Sequence, residues 1–429
     1  MHTSSLGNTM KERQGGERRA STASSRVMEI FGTLGLLAIA GCTDRVVAPT
    51  PRTTVVSGSA ASVRAVPASI AWQKTMRDLI VSRGTSPPAS IRGWALLGLA
   101  QYASAAGANG GDGDDEFDGG WHAQRGAVAG ASAAMLTYLF PLDGAALEAQ
   151  VRQQETADGP ASNPQFVRGE ALGRAAAQRL IDRAKVDGFG KPWTGTVPTG
   201  DPSLRLWRSA PGVAPVLPTL GQMTPFLLTS GDQFRPGPPP AANSQRYIDD
   251  LAEVLRLSLV PSDDPERARQ IAIARKWAAV TPAGYFSERA AGLIQAAGLG
   301  EREAAHVFAL AGSAQMDAAI GCYDAKYTYW LWRPVHAEPR IVLAIAMPNH
   351  PSYPSGHSCA SSAAAEVLAT IFPDAATALN AEVVEVGRSR VYGGIHFQFD
   401  CDAGIVLGRA VAHYTLAVDR ERGILEALR

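Results

Sequence analysis

Apolar residues recur along this chain at helical spacing. Segments 69–81, 91–106, 121–140, 165–186, 244–259 and 266–278 place them three and four residues apart, which predicts amphipathic helices. Alanine-rich stretches 285–298 and 301–332 extend the pattern. Segment 358–372 carries Ala364, Leu368 and Ile371 on one face and stops at Pro373. Asp374 is placed to cap a helix running through Val391, in which Leu379, Val383 and Val386 face inward and Arg390 continues their stripe. Asp402 is placed to cap a last helix, from 403 to about 425. No period-two alternation marks a strand, and no internal repeat is present. The prediction is an all-α protein built as a helical bundle.

Two stretches break the pattern. Residues 107–120 (GANGGDGDDEFDGG) form an acidic glycine-rich segment. Its alternating Asp112, Asp114 and Glu116 suggest calcium, but an EF-hand loop would then need an acid where Ala123 stands, so a solvated loop is the reading. Residues 188–243 are proline-rich and end in FRPGPPP, and an irregular stretch that long is usually functional or wraps the domain.

Ahead of the helices, Lys11, Arg13, Arg18, Arg19 and Arg26 precede a short apolar run, 30–40, that ends in Ile39-Ala40-Gly41-Cys42. This is similar to a bacterial lipoprotein signal, cut before a lipidated Cys42; an ordinary secretory signal is the alternative. The expected organisation is a signal peptide over 1–42, a polar tether over 43–66 and a helical body over 67–429, with the chemical motifs in 300–429. No later run reaches the roughly 18 apolar residues of a membrane span. The body is therefore expected to be exported and lipid-anchored on the periplasmic side of a bacterial envelope. Thr43 after the cysteine favours the outer membrane.

Composition narrows the partners. The 429 residues carry 40 Lys and Arg against 40 Asp and Glu, with no basic run, which excludes nucleic acid as an expected partner. Past Cys42, the cysteines are Cys322, Cys359 and Cys401. Their spacing forms no metal cluster, and they read as small buried residues near a site.

The chemistry concentrates near the C-terminus. Lys326 is followed by Arg333-Pro334, then by Pro354-Ser355-Gly356-His357, then by Ser389-Arg390 and His396. Seven residues apart, Lys326 and Arg333 fall on one face of a helix that Pro334 would end. Gly356 admits close backbone approach at a helix start, whose free N–H groups favour an anion. An arginine on an apolar stripe requires a counter-charge. Lys326, Arg333 and Arg390 thus describe a pocket for a multivalent tetrahedral oxyanion, helped by the Ser355 hydroxyl and the Gly356 amide. His396 is placed to bond the central atom, and either Asp400 or Asp402 could orient it, each also a candidate helix cap. His357 is placed for proton transfer.

These blocks resemble the superfamily of type-2 phosphatidic acid phosphatases and vanadium-dependent haloperoxidases. KYTYWLWRP, from Lys326 to Pro334, resembles the haloperoxidase branch in its aromatic filling, and 221–240 (GQMTPFLLTSGDQFRPGPPP) resembles a stretch of its bacterial members. The resemblance is patchy over 221–408. It implies an all-helical fold with vanadate as cofactor. His396 would be the axial vanadium ligand. Lys326, Arg333, Ser355, Gly356 and Arg390 would hold the oxygens, with His357 and Lys326 assisting catalysis. Hydrogen peroxide and halide would be substrates, giving a hypohalous species that halogenates a small organic acceptor. His350 stands where fungal-type chloroperoxidases carry phenylalanine. It resembles the algal bromoperoxidases there, pointing to bromide or iodide; a simple pocket-rim role is the alternative. The same pocket also suits a soluble acid phosphatase with His396 as nucleophile, through a phosphohistidine, or an inactive anion-binding lipoprotein. The presence of every expected catalytic residue disfavours the last.

Overall fold

The computed structural model describes residues 66–108, 119–157, 163–198, 202–209 and 212–428. The expectations for the signal, the tether and Cys42, and those for 109–118 of the acidic loop, lie outside the described residues. The helices in chain order are α1 (Ala68–Ser82), α2 (Pro87–Gly107), α3 (Gly119–Leu139), α4 (Gly144–Thr156), α5 (Pro164–Val186), α6 (Gln245–Leu259), α7 (Pro265–Ala279), α8 (Pro282–Ala296), α9 (Glu301–Tyr329), α10 (Pro334–Ala337), α11 (Gly356–Ile371), α12 (Ala376–Tyr392), α13 (Gln398–Arg422) and α14 (Ile424–Ala427). Among the described residues no strand forms, and a lone antiparallel bridge joins Leu206 to Leu331. The protein is all-α, as its patterning predicts. No helix among the described residues is long and apolar enough to cross a membrane.

Capping chemistry sets several helix starts. Asn163, Asp264 and Thr281 each accept a backbone N–H and are followed by proline at the first helical position. Pro87 and Pro282 therefore start α2 and α8 a few residues earlier than their apolar pattern does. Helix α4 escapes the pattern because it buries only Leu147 and Val151.

Helix α9 runs through the core with its middle section buried all round, from Val307 to Tyr323. It packs against α2, α8, α11 and α13. Gly404 and Gly408 bring α13 against α11. A Cβ at Gly404 would lie 2.8 Å from the Ser355 carbonyl oxygen, and one at Gly408 would lie 2.3 Å from that of Cys359. That close approach sets the start of α11 beside the first turn of α13.

Three local expectations are corrected. Helix α9 ends at Tyr329 rather than 332, because Trp330 turns left-handed at φ 52°. The chain then runs alongside 205–207, where the Trp207 N–H donates to Trp330 at 2.5 Å and the Trp332 N–H to Arg205 at 2.9 Å. Lys326 and Arg333 thus share no helix face. Asp374 sits inside a 3-10 turn, Pro373–Ala375, and does not cap α12. Helix α13 starts at Gln398, so Asp402 lies within it and pairs with Arg246 at 2.5 Å.

Candidate active site

Despite the broken helix, the three cations converge. Lys326 at the end of α9 is wholly buried and donates to the carbonyls of Pro351, Ser352 and Pro354, at 2.9, 2.8 and 2.5 Å. Its three protons are taken, so it presents charge to the pocket while clamping the 351–354 turn. Arg333 donates through Nε and Nη2 to the His350 carbonyl, and through Nη1 to the Ile395 carbonyl at 2.7 Å. Arg390, on the buried stripe of α12, donates from Nη2 to the Ala274 carbonyl of α7 at 3.1 Å and from Nε to the Ser389 hydroxyl at 3.0 Å. None of the three pairs with a carboxylate among the described residues. Burial pushes Lys326 down to about 8, and Arg333 and Arg390 each down to about 10.

The carboxylate that comes near is Asp400. Its Oδ2 accepts from the Ser352 hydroxyl at 2.5 Å, from His396 Nδ1 at 2.8 Å and from the Phe397 N–H at 3.2 Å. It therefore caps the start of α13 and orients His396 at once, settling the choice between Asp400 and Asp402. Burial pushes it up to about 7, against the pull of Ser352, Lys326 and Arg333. With Nδ1–H donated to Asp400, the Nε2 lone pair of His396 faces Arg333 Nη1 at 3.0 Å. That tautomer is the one an axial ligand or a nucleophile needs.

His357, in the first turn of α11, holds Nε2 3.1 Å from the Trp277 carbonyl, which leaves Nδ1 to exchange protons. Burial, then the Arg390 charge, holds His357 well below its ordinary value; burial and Arg333 do the same to His396. Ser355 caps α11, its oxygen accepting the Ser358 N–H at 3.5 Å, so the hydroxyl proton is free to donate. A Cβ on Gly356 would reach only Cys322 Sγ and Lys326 Cε, both at 3.9 Å, so its missing side chain leaves open space beside the buried lysine. His350 lines the pocket, its Nδ1 lying 3.1 Å from Arg333 Nη2 and its ring 5.5 Å from that of Tyr323. Cys322, Cys359 and Cys401 are buried free thiols.

A cavity of ≈ 270 Å³ opens on this cluster, with Gly356, His357, Arg390, His350 and His396 on its wall. Among the described residues no group of three His, Cys, Asp or Glu side chains could chelate a cation. Uncompensated buried positive charge, an open space at a helix start and an aimed imidazole lone pair fit a tetrahedral oxyanion such as vanadate or phosphate.

The structure brings Lys326, Arg333, His350, Ser355, Gly356, His357, Arg390, His396 and Asp400 together and leaves Asp402 apart, paired with Arg246; three further supports carried no sequence signal. Ser352 lies two residues ahead of the Pro354 block and carries no spacing signal. The carbonyls of Ala274 and Trp277 are backbone groups that residue identity cannot reveal.

The lysine predicts a pH dependence. A cation-requiring pocket binds best while Lys326 is protonated. Anion binding raises its pKa, so phosphate affinity should fall by about ten-fold per pH unit above about 8. Calorimetric titration with inorganic phosphate from pH 7 to 10 measures this; a flat profile would exclude Lys326 as the responsible charge.

Geometry of this kind defines an enzyme that works on, or through, a buried oxyanion. Residues 304–424 match the PAP2 superfamily model. The fold extends further. A bacterial vanadium-dependent iodoperoxidase superposes with a TM-score of 0.69 at 22% identity, covering 82% of this chain and 96% of that one. The apo and holo forms of a bacterial vanadium-dependent chloroperoxidase superpose with TM-scores of 0.60 and 0.59, each at 14% identity. They cover 79% and 80% of this chain, and 93% and 94% of their own. Among curated protein sequences, none matches this chain significantly.

Proposed function

We propose that the protein is a vanadate-dependent haloperoxidase that oxidises iodide or bromide with hydrogen peroxide. The observation that carries the reading is the trio of desolvated cations without carboxylate partners around His396. His396 Nε2 would bind vanadium. Arg333, Arg390, the Ser355 hydroxyl and the Gly356 N–H would hold its oxygens, with Lys326 adding positive charge. Bound there, vanadate supplies a Lewis acid that stays oxidised and activates peroxide toward halide.

Asp400 keeps the proton of His396 on Nδ1 and holds the ring by two partners of its own, Ser352 and Phe397. His357 enters neutral, its Nε2–H committed to the Trp277 carbonyl, so Nδ1 accepts a proton from incoming peroxide. The small, mostly apolar cavity limits water around the hypohalous product. His350 on its wall favours the heavier halides. Export through the N-terminal signal and anchoring by lipid on Cys42 complete the proposal, on sequence grounds.

The PAP2 match supports a second reading, a soluble acid phosphatase in which His396 attacks phosphorus. Its leaving-group proton would come from His357. Assaying iodide oxidation with and without vanadate, beside aryl phosphate hydrolysis, separates the two. Vanadate-dependent iodide oxidation in excess is expected. Phosphate ester turnover with no vanadate-dependent oxidation would transfer the assignment.

A further inference from the structure

The cavity extends past the anion pocket into a chamber of different character. Its walls there are Pro87, Pro88 and Ile91 from the start of α2, Pro282 from α8, Ala319 from α9, and Ile395. Three of these are prolines, whose fixed backbone makes the chamber preformed. Ser86, Pro87 and Val216 are exposed and mark its mouth. The charged or titratable groups on the lining, other than Tyr323, belong to the oxyanion cluster: His350, His357, Arg390 and His396. A second charged ligand would find no counter-charge left to it. A single cavity of ≈ 270 Å³ is also smaller than most small-molecule sites, roughly 300–1,000 Å³. The space suits one small ring.

One polar group on the buried wall is uncommitted. Tyr323 is 6% exposed, sits one turn from Ala319 on α9, and its hydroxyl makes no hydrogen bond within the described residues. Burial holds its pKa above the ordinary phenol value, so it stays a neutral donor and acceptor. A hydroxyl that opens on a cavity and has no protein partner is left for a ligand or water to complete. The ring of Tyr323 lies tilted against that of His350 at 5.5 Å, beside the oxyanion cluster.

We propose that this chamber binds the organic acceptor, a single neutral aromatic ring with one hydroxyl or N–H group, which Tyr323 anchors by hydrogen bond beside the oxyanion. The inference rests on the haloperoxidase reading for its chemistry. A ring carbon takes the halogen of the hypohalous acid, its C–H bond breaks, and the ring proton leaves with the hydroxide as water. Halogenation then happens on a bound ring rather than by free hypohalous acid in solution.

Binding tests the site independently of turnover. Phenol is titrated calorimetrically into the full chain saturated with inorganic phosphate. One phenol per chain is expected. Ala319→Leu, which fills the chamber, should weaken it by at least about ten-fold. Tyr323→Phe, which removes one oxygen, should weaken it by about five-fold. Phosphate affinity should change by less than about two-fold in either variant. Failure of phenol to bind the parent chain, or equal affinity in both variants, would overturn the proposal. Should Ala319→Leu not fold, Tyr323→Phe carries the test. Loss of vanadate-dependent iodide oxidation in the parent chain, with phenol still bound at this site, would instead count against the haloperoxidase reading alone.

Discussion

Replacing His396 by alanine should abolish vanadate retention and with it halide oxidation, each by at least about a hundred-fold. The imidazole is 3% exposed, and its Nε2 lone pair is held toward the pocket by the Asp400 bond on the other nitrogen. Alanine removes that ligand but leaves the cations in place. Arg333 keeps the carbonyls of Ile395 and His350, and Lys326 keeps its three carbonyls. Phosphate is held in the pocket by charge and hydrogen bonds alone, so its affinity should fall only a few-fold. The divergence between vanadate and phosphate is the diagnostic. Equal losses for the two would mean that the histidine supports the pocket without bonding the bound group's central atom.

Lys326→Met has the second largest expected effect, and it appears twice. The substitution removes a buried charge from the oxyanion, which should lower phosphate affinity by about a hundred-fold through lost charge-assisted attraction. It also strips the Pro351, Ser352 and Pro354 carbonyls of their common donor. A buried unsatisfied carbonyl costs about 1–3 kcal/mol, and since the Pro354 carbonyl still accepts from the Cys322 thiol the anion-free protein should lose about 2 kcal/mol. Thermal unfolding with and without saturating phosphate separates the two. A variant as stable as the parent but unable to bind phosphate would deny the lysine its clamping role.

The helical character of the chain and the convergence of its cations were legible because both are written in residue type and spacing. Arg390 shows how: an arginine on the stripe of Leu379, Val383 and Val386 must be buried, and a buried arginine needs an anion. The path between Lys326 and Arg333 was not legible. No glycine or proline marks the left-handed turn at Trp330, and the bridge that pulls the chain away pairs it with Leu206, more than a hundred residues earlier. Asp400 was legible as a candidate four residues after His396, but its choice over Asp402 was not, because it depends on the last long helix starting at Gln398 rather than 403. The carbonyls of Ala274 and Trp277 depend on where the end of α7 docks, a tertiary fact with no local signature.

Vanadate titration of the metal-free chain, followed by iodide oxidation, tests the cofactor's role most directly. Activity should rise linearly to one vanadate per chain, and inorganic phosphate should shift the curve as a competitor for the same pocket. Iodide oxidation that ignores vanadate, or saturation that phosphate leaves untouched, would contradict it.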